Sequence, residues 1–429
     1  MQPLRISKAR GVVVGLILAG AVLGACSDTP SGPVTQPGPE TVQVSYCTGL
    51  EPEWVAFQDG DGPWTRATPT ATGGTTTFQY TFQTSRGGIA RIARGGNGLT
   101  ALEVLYGARA ELATAGETKA IFCGDPVSKA LLGTVVGLDT NEAAVVGGGL
   151  SRIVAIPATG GHLALNGLPS GPRDLIVARA TRANGRTAVT SFIVRRDVDL
   201  PDSTTLPVFD FGSSEAFPPA TATLTINGMS SEGASVGVRL LTGTTEVLFS
   251  PVVSASLDVA RPYSALPTAQ LRPGDLQEVF VSAVASTASR SAQLYFRSPS
   301  DLTLAIPAPL VRPTFATVAT TPALRLAARF VPQGDYDRTA SISYQQGTTR
   351  IVGVTMTAAY ASAVGGYELT VPDLSAVTGF DPTWALHTGL PLLWTAGRVG
   401  GTLGLGVSVM PSDGATRRDA FDMDSIPGS

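Results

Sequence analysis

The phrase L-P-S-G-P-R-D-L-I-V at Leu168–Val177 returns as L-R-P-G-D-L-Q-E-V-F-V at Leu271–Val281, and G-T-T-E-V at Gly243–Val247 returns as G-T-T-R-I at Gly347–Ile351. Both offsets lie near 104 residues, and they overlap in the middle of the chain. Tyr263 before Leu266-Pro267 matches Tyr367 before Val371-Pro372, while Arg186, Phe192 and Asp199-Leu200 match Arg290, Phe296 and Asp301-Leu302. A recurring period of this size predicts three related modules of about 100 residues, the size of an immunoglobulin-like sandwich.

Within each period the local signal is strand. T-T-T-F-Q-Y-T-F (Thr75–Phe82), D-L-I-V-A-R-A (Asp174–Ala180), A-T-L-T-I (Ala222–Ile226), V-F-V-S-A-V (Val279–Val284) and I-V-G-V-T-M-T (Ile351–Thr357) alternate or are β-branched. Gly, Pro, Asn and Asp punctuate them. With 49 Gly and 31 Pro, long helices have little room, and helical turns are expected only near Ala108–Ala115 and Val127–Leu132. The fold class read from this pattern is all-β: several tandem antiparallel β-sandwich (Ig-like) domains after a signal peptide and a flexible tether. Pro-rich joints at Cys123–Pro126, Phe217–Pro219 and Ile306–Pro313 divide the chain into domains 42–125, 126–215, 219–310 and 314–420, with a tail 421–429. Such clusters suit linkers because Pro has no ladder donor. The phrase from Leu168 resembles the turn-and-strand opening of exported Ig-like or prealbumin-like modules, which names no activity.

The N-terminus carries an address. Arg5, Lys8 and Arg10 precede 14 apolar residues, Gly11–Gly24, as in a secretory signal. A spanning helix needs about 20 apolar residues, so a stop-transfer segment is disfavoured. The run ends at Leu23-Gly24-Ala25-Cys26 and resembles the lipobox of bacterial lipoproteins over residues 1 to about 27. That resemblance implies cleavage after residue 25, acylation of Cys26 and anchoring by lipid. Ser27 after the Cys favours the outer membrane, on a side the sequence leaves open. Residues 26–41 are rich in Pro, Gly, Ser and Thr and read as an extended tether.

With Cys26 given to lipid, Cys47 and Cys123 remain, an even number in an oxidising compartment, and pair as an expected disulfide closing the first domain. Two cysteines with only His162 and His387 to add make no zinc site, so neither metal nor cofactor is expected. Loss of residues 1–25 leaves 27 Lys plus Arg against 33 Asp plus Glu. The mature chain is mildly acidic and has no basic patch of the kind nucleic-acid binding requires.

Motifs for catalysis are sparse. Gly233-Ala234-Ser235-Val236-Gly237 has the G-x-S-x-G form, and His387 follows in the right order for a hydrolase, but a nucleophile elbow joins a strand to a helix and strand-like residues flank this one. The run Gly147-Gly148-Gly149 lacks a following Lys and reads as a turn. His162 takes a core or edge aromatic role, and His387 the same. A carboxylate pair of glycoside-hydrolase type is left open by spacing alone.

The stretch W-V-A-F-Q-D-G-D-G-P-W-T-R (Trp54–Arg66) fails the calcium-loop pattern, with Pro63 at position 5 and Trp64 at position 6. It reads as a hairpin around Asp59–Gly62, which sets Phe57 opposite Trp64 and Val55 opposite Arg66. Trp64 then belongs to the core and Trp54 to the other face, where it is either buried under a neighbouring strand or exposed as a platform. The stretch also resembles the aromatic hairpins of starch-binding-type modules, which implies a glycan-stacking role for Trp54 and Trp64. The expected function is a lipid-anchored cell-envelope protein, structural or binding, with no catalytic centre. Its expected partners are the membrane, through the lipid, and a glycan or envelope protein. Carbohydrate binding through the first domain is the alternative, and a hydrolase the third.

Overall fold

The structure is a computed structural model and describes residues 38–47, 51–115, 129–148, 151–155, 161–168, 171–183, 186–199, 204–206, 208–229, 232–250, 260–403 and 411–427. It is built of sandwiches of mainly antiparallel sheets, as the alternating strand pattern requires. The first unit comprises β1 (Glu40–Cys47), β2 (Trp54–Asp59), β3 (Trp64–Arg66), β4 (Pro69–Thr72), β5 (Thr75–Phe82), β6 (Arg86–Arg94), β7 (Thr100–Ala108) and the short helix α1 (Arg109–Ala115). One sheet runs β1-β5-β4, and β3-β2-β6-β7 face it. Val42, Val44, Val55, Phe57, Phe78, Phe82 and Ile89 fill the space between the two.

The second unit holds β8 (Lys129–Val136), β9 (Glu142–Gly148), β10 (Ser151–Ala155), β11 (His162–Leu168), β12 (Arg173–Ala183), β13 (Arg186–Val198), β14 (Thr204–Thr205) and β15 (Phe209–Asp210). Then come β16 (Ala220–Asn227), β17 (Gly233–Leu241), β18 (Glu246–Ser250), β19 (Arg261–Ala265), β20 (Leu276–Val284), β21 (Ala288–Phe296) and β22 (Leu302–Ala305). The fourth unit has β23 (Thr314–Ala319), β24 (Arg325–Phe330), β25 (Thr339–Gln346), β26 (Arg350–Thr357), the helix α2 (Ala358–Val364), β27 (Tyr367–Thr370), β28 (Leu392–Gly400) and β29 (Thr416–Ile426).

These three units share one strand order. The larger sheets run β10-β9-β12-β13, β18-β17-β20-β21 and β26-β25-β28-β29, so equivalent strands stand in equivalent places. In the smaller sheets β11-β8, β19-β16 and β27-β24 correspond. The second and third units add late strands parallel to their first, β14 and β15 on β8 and β22 on β16. In the fourth, β23 fills the place beside β24, and it is antiparallel. The turn before the fifth strand uses a glycine at positive φ in all three, Gly171 (92°), Gly274 (90°) and Gly389 (76°), a conformation that a side chain resists. Gly243 and Gly347 both lie in the turn joining the second and third strands. The pairings β23-β24-β27 and β25-β28-β29 of the fourth unit match A-B-E and C-F-G of an immunoglobulin constant domain, and the departure is the strand between C and E, β26, which joins the larger sheet beside β25 instead of pairing with β27.

Neighbouring units fuse edge to edge. β21 pairs with β29 antiparallel, from Ala288 opposite Asp422 to Leu294 opposite Thr416. β26 pairs with β7 in parallel, from Arg350 beside Thr100 to Met356 beside Tyr106. The result is a twelve-stranded sheet in which the first unit lies beyond the fourth, out of chain order. The second unit instead stacks on the third. Leu175 and Val177 of β12 point into their own core, while Ile176, Ala178 and Ala180 join Val238, Leu240 and Val247 of the third.

Several local expectations change. Residues 129–132 begin β8 where a helical turn was expected, because the segment pairs with β11 through Leu131–Leu165 and Leu132–Ala164. Gly147 and Gly148 belong to β9 and not to a turn, since any side chain at Gly147 would collide with Val247 of the stacked unit. β29 runs to Ile426, so most of the expected tail 421–429 is strand, held by Asp422–Ala396 and Ile426–Leu392 pairing. The helical turn near Ala108–Ala115 is present as α1.

The contact of the second unit with the third is polar at its rim. Arg196 donates to Asp174 at 3.0 Å and to Asp275 at 2.7 Å, and these are the Asp residues of the two echoed phrases. Both carboxylates are buried. Arg173 and Asp174 also bind the Gly243-Thr-Thr turn, through Thr244 O, Thr244 Oγ1 and Thr245 Oγ1. Removing one partner from a buried charged cluster typically costs about 3–5 kcal/mol. Arg196→Ala should therefore destabilise the fold by about that amount in denaturant unfolding, and a variant unfolding at the parental midpoint would contradict the bridging role.

Candidate functional site

The hairpin from Trp54 adopts a register one residue away from the expected one. Gln58 pairs with Trp64, Phe57 with Thr65 and Ala56 with Arg66. The loop is longer because Asp59 is drawn aside: its carboxylate accepts from the N–H groups of Gln83 (2.8 Å) and Thr84 (3.0 Å) and from Thr84 Oγ1 (2.5 Å). Burial acts to raise its pKa, but these hydrogen bonds outweigh it and hold the carboxyl below its usual range. Asp61 is paired with Arg86. The Asp–Gly knot thus joins two turns of the first unit, and its carboxylates are engaged by donors of the chain itself.

A one-residue slip exchanges the faces of a strand. Trp64 accordingly leaves the Val55–Phe57 side, where it was expected, and packs half-buried against Tyr106 with ring centroids 6.1 Å apart. Trp54 and Ala56 lie on that same face, which the fourth unit covers. Trp54 is 1 % exposed, so of the two readings of that face it takes the buried one and offers no stacking platform. Its ring meets Phe380 edge-on at 5.5 Å and Trp384 at 6.3 Å, and its Nε1 donates to Thr378 O at 3.2 Å. All three partners belong to the loop between β27 and β28. Trp54, Ile92, Leu102 and Val104 of the first unit form one cluster with Val352, Val354, Leu374 and Trp384 of the fourth.

A cleft of about 550 Å³ opens beneath β4, between the two sheets of the first unit. Val55, Phe78 and Thr76 line it, with Glu51, Glu53 and Arg66 at its charged positions. Glu53 is bound by both nitrogen arms of Arg94, at 2.6 and 3.1 Å. The charged groups there are of both signs, and Glu53 is braced to a neighbouring strand through Arg94.

The remaining sequence candidates do not converge. Ser235 sits in the middle of β17 opposite Ser282, in the third unit. His387 lies in the fourth, where Gln346 binds both its N–H (2.8 Å) and its C=O (2.7 Å). Burial, with Arg350 nearby, holds its imidazole below the ordinary value. His162 starts β11, exposed, with Nδ1 3.2 Å from Thr134 Oγ1, an edge position. Cys26 and Cys123 lie outside the described residues, as does the side chain of Cys47, the last residue of β1. Among the described residues no group of three or more His, Cys, Asp and Glu is placed to hold a metal ion, and no helix is long and apolar enough to cross a membrane.

Sequence reasoning missed one titratable group. Glu278 of β20 is 1 % exposed, lies 3.4 Å from Arg239, and has one oxygen without a hydrogen-bond partner. Burial, with Glu246 and Asp419 adding to it and Arg239 and Arg417 opposing it, pushes the carboxyl up to about 7. Glu278 gave no warning in the sequence, because a single charged letter in a strand reads as a solvent position.

No family model matches the chain, and no curated protein matches it.

Two outcomes follow from this geometry. Trp54→Ala removes a ring enclosed by two units and should cost several kcal/mol, within the ~3–5 of large aromatic deletions, whereas Trp64→Ala should cost less; equal or negligible losses in thermal unfolding would contradict the placement. Glu278 titrates higher in the folded chain than in the unfolded one, so its contribution declines as pH rises from about 4.5 to about 7. Glu278→Gln should then raise the Tm clearly at pH 8 and little at pH 4. A pH-independent difference would rule out the shift.

Proposed function

We propose that this is a lipid-anchored protein of the bacterial outer membrane with a structural or binding role and no catalytic centre. The lipid half of the reading rests on Leu23-Gly24-Ala25-Cys26, Ser27 and the tether that follows. Several acyl chains on Cys26 would hold the chain firmly, since each buried methylene contributes about 0.8 kcal/mol.

The observation that carries the rest is the continuity of the twelve-stranded sheet through the first, third and fourth units. A sheet joined edge to edge keeps its parts in fixed relation, as a scaffold or binding surface needs. Ionisable side chains follow the same logic. Arg312 holds Asp422 and Asp424, Arg196 holds Asp174 and Asp275, and Arg290 holds Glu232, all at joints between strands and units. Three of the 30 basic residues are lysines, and the planar guanidinium of Arg suits this bracing because it binds carboxylates and carbonyls with two arms.

Replacing Cys26 with Ser tests the anchoring. The parent should fractionate with membranes and Cys26→Ser should appear in the soluble fraction of detergent-free extracts. Retention of Cys26→Ser with washed membranes would overturn the lipid anchor.

A further inference from the structure

The sheet β1-β5-β4 turns Phe78, Phe82, Val42 and Val44 inward, and by the two-residue period its other face carries Thr41, Gln43 and Ser45 of β1, Thr77, Gln79 and Thr81 of β5, and Thr70 and Thr72 of β4. Every one of these side chains is a hydroxyl or a carboxamide. Among these outward positions there is no charge and no aromatic ring, on a protein whose other strands are laced with Arg–carboxylate pairs. The groups are also ordered. Thr41 bonds Thr81 (2.9 Å), Ser45 bonds Thr77 (3.0 Å), Gln79 Nε2 donates to Gln43 Oε1 (2.9 Å) and Gln43 Nε2 donates to Ser45 Oγ (3.1 Å). Cross-strand bonding fixes the rotamers, so the remaining lone pairs and N–H groups point outward without a further loss of side-chain entropy on binding.

We infer that this face binds the sugar backbone of a β-linked chain of N-acetylated amino sugars, the neutral glycan strand of the cell wall. The inference rests on the envelope location proposed above, adds to it that the chain faces the periplasm, and names the partner there. Gln43 of β1 and Gln79 of β5 stand opposite each other, where their carboxamides match acetamido groups, and the neighbouring hydroxyls match ring hydroxyls. Strands lie about 4.8 Å apart, so Ser45 of β1 and Thr70 of β4, on either side of Thr77 of β5, stand two spacings apart, close to the two-residue repeat after which an extended β-linked chain presents the same face. Position supports the same occupant. Fully extended, the residues from Cys26 to Glu40 reach at most about 50 Å, and Glu40 opens β1, so the face stays near the anchored membrane.

The test uses the complete mature chain bearing Cys26→Ser, so that lipid plays no part. It is sedimented with protein-free cell-wall sacculi, with chitin as an N-acetylated comparator and with cellulose as a hydroxyl-only one. The chain should pellet with sacculi and chitin and at least tenfold less with cellulose. The double variant Gln43→Ala, Gln79→Ala should lose about tenfold in retention on sacculi with its Tm unchanged, because both side chains are exposed. A second variant, Thr81→Lys, places a bulky charge on the face and should lose retention similarly. A parent chain that stays in solution with sacculi, or variants that both bind as the parent does, would overturn the inference. If the Cys26→Ser chain is retained by whole envelopes but not by sacculi, the glycan assignment fails and the envelope-binding role stands. If the lipidated parent is itself soluble in cell extracts, the envelope reading fails first.

Discussion

When β7 lies parallel to β26, two edge strands that would each present a row of unpaired N–H and C=O groups satisfy one another over seven residue pairs. The pairing also brings the Trp54 face of the first unit under the loop between β27 and β28, where Phe380 and Trp384 enclose the indole. Without that contact the first unit would expose Trp54, Ala56, Ile92, Leu102 and Val104 at once, a patch far larger than single surface hydrophobics. Its sheet is thus covered on both sides, by its own β1-β5-β4 layer and by the fourth unit.

The rest of the architecture keeps that seam in place. The fourth unit is fixed to the third through β21 and β29, and the Pro-rich joint Ile306–Pro313 is clamped by side chains on both sides of it. Arg290 binds Pro307 O, Tyr336 binds Ala308 O, and Gln333 binds Pro309 O and Val311 N. Gln277 on Leu266 and Gln346 on His387 repeat the device, each carboxamide donating to one carbonyl and accepting from the N–H of the same residue. A buried carboxamide used this way replaces a missing ladder partner and leaves no backbone group unsatisfied. The joints at Phe217 and Ile306–Pro313, which composition marks as linkers, are thus parts of a packed seam.

Much of the fold was legible in the sequence because its signals are local and periodic. Alternation in Thr75–Phe82 and Ile351–Thr357 gave strands, and the echo of Leu168–Val177 at Leu271–Val281 marked equivalent turns and fifth strands. What it did not reveal depends on contacts distant in the chain. The hairpin is one residue out of the expected register, with Asp59 held by Thr84, and this moves Trp64 to the other face, while Trp54 is buried by the distant loop that carries Phe380 and Trp384; nothing between Trp54 and Arg66 encodes either contact. The return of the first unit to the fourth is likewise invisible, since β7 and β26 each look like ordinary strands. Arg196 carries the contact between the two echoed Asp residues from a third strand, and Glu278 is buried by neighbours on three others.

Hydrogen exchange along β7 and β26 in the intact chain tests the seam most directly. If the two strands are joined as described, the amides of Leu102–Tyr106 and Val352–Met356 should exchange slowly and with the same opening free energy, as members of one cooperative unit. Trp54→Ala should lower the protection of both sets together. Fast exchange in β26 on its side facing β7, or loss of protection confined to the first unit in Trp54→Ala, would contradict the fused sheet.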